Sequence, residues 1–209
     1  MNEQVLTQLT AAAWPWLVLV LCAQFVAGRL GLTTRGWQPL VVSGAIAAVL
    51  LLVPVSGLSV ARRIAGISTN FSITFTGILA VMAWERAFAR SVFTERDWRT
   101  GWGFGAIGGL ALYPMALGLG SVDPYEWGWQ FSPLFVVVGV LTAWLLWKGY
   151  RFGLLLVIAA AAFHLRLLES TNYWDYLLDP IYVVVSIIAM SRRLMSRARD
   201  EIPLRREVP

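Results

Sequence analysis

The chain has 209 residues, 58% of them hydrophobic and 14% charged, with a mean hydropathy of +0.66 and a formal net charge of +5. These values exclude an ordinary water-soluble domain and fit a chain dominated by bilayer spans. The sixteen Arg and one Lys read as loops held against anionic lipid rather than as a nucleic-acid surface, since no soluble segment is long enough to fold into a nucleic-acid reader.

Residues Met1 to Thr10 carry Glu3 and no Lys or Arg, so the basic start of a cleavable signal peptide is missing and the first apolar run reads as a retained span. A hydrocarbon core of about 30 Å needs about 20 apolar helical residues per crossing. By that measure the sequence predicts spans at 12–28, 39–58, 64–84, 102–120, 133–147, 152–168 and 174–191, an all-α polytopic bundle. One membrane domain is expected over 1–192, followed by a basic tail over 193–209. Cys22 is the single cysteine, which excludes an intramolecular disulfide.

The third run is uncharged but the most polar, with Ser68, Thr69, Asn70, Ser72, Thr74 and Thr76; Ser68, Thr69, Asn70 and Thr74 are the candidate polar lining. After it, 85–101 is the longest inner loop. Thr94 is positioned to cap a short helix there, and Glu95 and Arg99 are spaced for an i,i+4 pair. Between Gly101 and Gly120 stand seven glycines, including pairs at four-residue spacing that let helices approach closely. Asp123-Pro124-Tyr125-Glu126 reads as a capping box opening a short interfacial helix, and Ser132-Pro133 repeats that logic at the fifth span. Lys148-Gly149-Tyr150-Arg151 is a tight basic turn that makes 133–168 a helical hairpin.

Beyond it lie His164, the only histidine, then Arg166 and Glu169, three apart on one helix face. The segment Asn172 to Pro180 has two readings. Either Asp179 caps a helix whose first residue is Pro180, or a helix starts near Tyr173 and Pro180 kinks it. The second is preferred on length, because a span from Pro180 has only about a dozen residues before Arg192. It aligns Asp175, Asp179, Tyr182 and Ser186 as one polar stripe. His164, Arg166, Glu169, Asp175, Asp179 and Tyr182 are therefore the candidate outer-face site, because ionisable groups at membrane depth are costly unless paired, hydrated or working. A polar seam in which the stripe is satisfied by Ser, Thr and Asn of the third span is the competing structural explanation.

Six Arg between Arg192 and Arg206 put the carboxyl terminus inside. Seven spans then leave the amino terminus outside, with Arg62 and Arg63 as outer exceptions. A six-span alternative makes 64–84 re-entrant and satisfies the charge rule equally well. The length of that run favours seven. The Trp residues collect near span ends, as an aromatic belt does.

No motif fixes a reaction. One His excludes histidine-box di-iron and bis-histidine haem chemistry, and there is no HExxH zinc motif. A retinal protein needs a Lys in its last helix, whereas Lys148 is in a loop. A Gly-x-Ser-Gly nucleophile motif is absent, since Val41 and Pro54 stand two positions before Ser43 and Ser56. No cofactor or metal is expected. The first functional expectation is a non-catalytic component of a cell-envelope assembly in the bacterial inner membrane, partnered by lipids and by another membrane protein or a second copy. A small carrier or flippase-like protein using the acidic stripe is the second. A membrane enzyme acting at the outer leaflet on a lipid-linked or glycan substrate, with Asp175 or Asp179 as base, is the third.

Overall fold

The computed structural model describes residues 3–201 except Ile67 and Thr69, with side chains over residues 5–196. Thr69, expected as part of a polar lining, lies outside the described residues. The described chain is helical apart from one two-stranded hairpin. Its elements are α1 (Glu3–Arg29), α2 (Trp37–Leu52), strands β1 (Pro54–Val55) and β2 (Leu58–Ser59), α3 (Val60–Ala65), α4 (Ile73–Phe88), α5 (Glu95–Pro114), α6 (Pro133–Trp147), α7 (Phe152–His164), α8 (Tyr173–Leu177) and α9 (Pro180–Glu201). A π-helical turn, Met115–Leu119, extends α5, and a 3-10 turn spans Pro124–Gly128.

Among the described residues two helical segments are long and apolar enough to cross a membrane, Val5–Arg29 and Glu95–Leu119, each of 25 residues. Helices α2, α6 and α7 are apolar but shorter, at 16, 15 and 13 residues. At 1.5 Å per residue they cover only about 20–24 Å.

Hydrogen bonds between loops define two ends of the bundle. At one end Gly36 N–H donates to Ala87 O (2.7 Å), Phe152 N–H donates to Asp97 Oδ1 (3.1 Å), and Arg193 pairs with Glu95 at 2.9 Å. At the other, Ser170 N–H donates to Asn70 Oδ1 (3.1 Å) and Asn172 Nδ2 donates to Tyr125 O (3.0 Å). The first end carries Arg29, Arg35, Arg86, Arg90, Arg96, Arg99, Lys148 and Arg151; the second carries Asp123, Glu126, Glu169, Asp175 and Asp179 with Arg62, Arg63 and Arg166.

Local sequence accounts for several boundaries. Thr94 caps α5 in a reciprocal box with Asp97, but the helix it opens runs on to Pro114 instead of staying a short one in the 85–101 loop, and Ser132 accepts from Leu134 N–H ahead of Pro133 at the start of α6. Gly149, at φ 77°, supplies the left-handed residue of the α6–α7 turn. Glu95 reaches across to Arg193 instead of forming the expected pair with Arg99. Asp123 accepts from Tyr125 N–H (2.9 Å) and opens a 3-10 turn rather than an α-helical capping box.

Two spans are corrected. The run 64–84 is not one helix: α3 ends at Ala65, and α4 starts at Ile73, where Ser72 Oγ accepts from Phe75 N–H (3.2 Å) and caps it. Ser68 and Asn70 therefore lie in the connecting segment, and Thr74 in the first turn of α4. The run 174–191 is also broken, because Leu178 is extended (φ −137°, ψ 143°) and ends α8 before α9 begins at Pro180. Apolar length does not set this boundary, because α9 continues through its Arg-rich segment to Glu201, Arg being a good helix former that does not end a helix on leaving an apolar region.

Glycines set the α5–α9 contact. A Cβ on Gly105 would collide with Ser186 Oγ, and one on Gly109 with the Val183 side chain, whereas Gly103 has nothing within 4 Å. Overpacking a close-fitted contact costs about 1–3 kcal/mol, and about 2–4 °C accompanies each kcal/mol in a chain of this size. Gly109→Val is expected to lower the thermal midpoint in detergent by several degrees, and Gly103→Ala to leave it in place. Equal midpoints for the two variants would contradict the packing assignment.

Candidate functional site

Asp179 is the best-held polar group of the acidic end. It is 3% exposed, and its carboxyl accepts three hydrogen bonds: Ser72 N–H (3.0 Å) and Ser72 O–H (2.6 Å) on Oδ2, and Tyr182 N–H (2.8 Å) on Oδ1. It thus caps α9 three residues upstream of Tyr182 and also grips the cap residue of α4. Both helices present the positive ends of their dipoles to it. This is the capping alternative for Asn172 to Pro180, and the continuous stripe of Asp175, Asp179, Tyr182 and Ser186 does not form. Burial pushes its carboxyl above the usual range, against the hydrogen bonds from Ser72 and Tyr182.

Tyr182 is fully buried. Its hydroxyl donates to Gly101 O (2.6 Å), and its ring stacks on Phe75 at 5.1 Å, joining α9 to α5 and α4. Thr74, also fully buried, donates to Tyr176 O (3.3 Å). Asn70, Ser72 and Thr74 of the third run therefore fasten α4 and its leading segment to the Ser170 loop, α9 and α8.

Asp175 is separate from Asp179. It lies on α8, half-buried, and Tyr125 O–H donates to its two oxygens at 3.0 Å each. Burial pushes its carboxyl above the usual range, against hydrogen bonds from Ser170 and Tyr125. Burial and then the Asp175 charge push the Tyr125 hydroxyl well up, so it remains the donor. Tyr125 and Asn172 are the residues that sequence reasoning passed over. Asn172 caps α8 through Trp174 N–H (3.0 Å), and a Cβ on Gly128 would run into its amide.

His164 and Arg166 come together elsewhere. They line one cavity of about 330 Å³ with Trp129, Ser170, Thr171 and Tyr176. Glu169, Asp175, Asp179 and Tyr182 are not among its walls. Arg166 occupies the residue after the cap of α7, in the left-handed region at φ 52°. Arg166 N–H donates to Phe163 O (3.1 Å) and Leu167 N–H to Ala162 O (3.0 Å), the paired bonds of a Schellman ending, where glycine is usual. Holding a side chain there costs about 1–2 kcal/mol. Among the described residues no group of three His, Cys, Asp or Glu stands together as a metal site.

Comparison of the chain with protein-family models, curated proteins and solved structures finds no match.

A raised carboxyl pKa means that the folded state keeps a proton that the unfolded chain releases above about pH 3.9. The stability contributed by protonated Asp175 is complete below that value and is lost as pH rises through its folded pKa. Asp175→Asn preserves an acceptor for Tyr125 without the buried charge. Its thermal midpoint at neutral pH is expected to equal or exceed the parent's, and it should lack the parent's decline as pH rises from about 4. The same decline in both proteins would contradict the assignment.

Proposed function

We propose that the chain is a seven-span inner-membrane protein, amino terminus outside and carboxyl terminus cytoplasmic, that serves as a non-catalytic component of a cell-envelope assembly. The observation that carries this reading is the use of the buried acidic groups. Asp179 fastens α4 to α9, and Asp175 is held by Tyr125, which leaves neither in the His164–Arg166 cavity as a base or a proton carrier.

Membrane residence is supported by apolar side chains left bare on the outside of the bundle, such as Val41, Val49 and Leu52 on α2 and Val137 and Val140 on α6. Contiguous apolar surface of this extent is unfavourable in water and neutral in hydrocarbon. Seven helices of 13 residues or more among the described residues, with Arg gathered at one end, match the inward bias of basic loops. The short helices are accommodated by local thinning of the bilayer, at a modest cost per ångström.

Topology and partnership are separately testable. With Cys22 replaced by Ala, Gln8→Cys and Thr171→Cys should react with an impermeant thiol reagent in intact cells, and Ser91→Cys only after permeabilisation. Protection of Gln8→Cys alone would favour six crossings. Purification in mild detergent should recover a stoichiometric membrane-protein partner or a second copy; isolation as a monomer without companions would count against the assembly role.

A further inference from the structure

The cavity holding His164 and Arg166 does not stand alone. A second, apolar groove of about 510 Å³ runs between α6 and α7, and Phe163 and His164 belong to the walls of both. The α6 wall of this groove extends from Phe135 through Gly139 and Ala143 to Leu146. At 1.5 Å per residue it is about 16 Å long and takes in nearly the whole of α6, from its first turn at the acidic end to its last turn before Lys148. Small residues keep it open: a Cβ on Gly139 would meet nothing within 4 Å, and Ala143 and Ala160 are exposed within it. Thr142, the hydroxyl-bearing residue on this wall, donates to Val138 O (2.7 Å), so it makes no polar demand on an occupant.

The other compartment has the opposite chemistry. Arg166 brings a guanidinium, His164 an imidazole and Thr171 a hydroxyl, and no carboxylate lines the cavity although the surrounding end carries five. Arg166 also stands where the helix ending favours glycine, so the fold retains a cation at a position where local stability prefers none.

We propose that the two compartments form one binding site for a phosphate-bearing lipid of the outer leaflet, its acyl or prenyl chain in the α6–α7 groove and its phosphate against Arg166, His164 and Thr171. Guanidinium and imidazole donors suit a phosphate, and an apolar groove about 16 Å long that shares Phe163 and His164 with their cavity suits a chain attached to it. The proposal rests on the membrane reading above.

The test uses the full chain in mild detergent and three probes: dimyristoyl phosphatidic acid, the matching diacylglycerol, and inorganic phosphate. Phosphatidic acid should bind at least ten-fold more tightly than either of the others. Gly139→Phe, and Ala160→Phe from the facing wall, should each weaken it at least ten-fold. Arg166→Gly should reduce it to the level of diacylglycerol while the thermal midpoint holds or rises, because glycine suits that backbone; a purely structural Arg166 would instead lower the midpoint and leave lipid preference intact. Equal binding of phosphatidic acid and diacylglycerol overturns the proposal, as does indifference to both groove-filling variants. A photoreactive phenylalanine at Val157 that cross-links to a polypeptide rather than to lipid would also overturn it. Carbonate-washed membranes from the same cells separate the two levels of failure. A chain that stays in the membrane but shows no preference for phosphatidic acid refutes this site alone, whereas a chain released by the wash refutes the membrane reading and this site together.

Discussion

The fold turns on one buried carboxyl. Asp179 receives the Ser72 amide, the Ser72 hydroxyl and the Tyr182 amide, so one side chain ends the segment before α4, starts α9 and fixes the two helix beginnings against each other. An unpaired carboxyl buried that completely would be costly. With three donors and two helix dipoles aimed at it, it becomes the point from which both helices take their direction. Ser72 completes the arrangement by accepting from Phe75 N–H while donating to Asp179, which uses both hydrogen-bonding roles of its hydroxyl.

From that tie the remaining packing follows in layers. Below it, α9 lies along α5 at a separation that glycine alone permits, with Gly105 against Ser186 and Tyr182 and Gly109 against Val183. Tyr182 passes its hydroxyl to Gly101 O and its ring to Phe75. Above it, α8 is held by Asn172, Tyr125 and Thr74. Helices α6 and α7 are less tightly closed on each other and keep the groove between them. Asp179, Thr74 and Tyr182 are thus hydrogen-bonded in the half that holds α4, α5 and α9, where Ser186 Oγ is nonetheless buried without a partner among the described residues, and the α6–α7 half carries the groove and the His164–Arg166 cavity.

Much of the helical content was legible because it is local. The α6–α7 hairpin with Gly149, the Thr94 cap and the Ser132-Pro133 start each depend on residues within a few positions of one another. What misled was the use of length as an arbiter. Counting apolar residues joined the Ser68 to Ser72 connection to α4 and joined α8 to α9, because charge was taken to end a helix; α9 instead runs on through Arg192 and Arg193. The partner of Asp179 stands 107 positions away, so no spacing rule links them. Tertiary packing also divides the ionisable residues of one end: His164 and Arg166 line a cavity whose walls do not include Asp175, while Asp175 is held by Tyr125 and by Ser170 from that cavity's wall.

The most direct test of the central tie is a double-mutant cycle on Ser72→Ala and Asp179→Asn, with stability measured for the parent, both single variants and the pair. Groups in one hydrogen-bonded network show coupling of about 0.5–3 kcal/mol. The account predicts a coupling in the upper part of that range, the double variant being little less stable than the worse single one. Strict additivity of the two substitutions would mean that Ser72 and Asp179 act independently and that the helix beginnings are held together by something else.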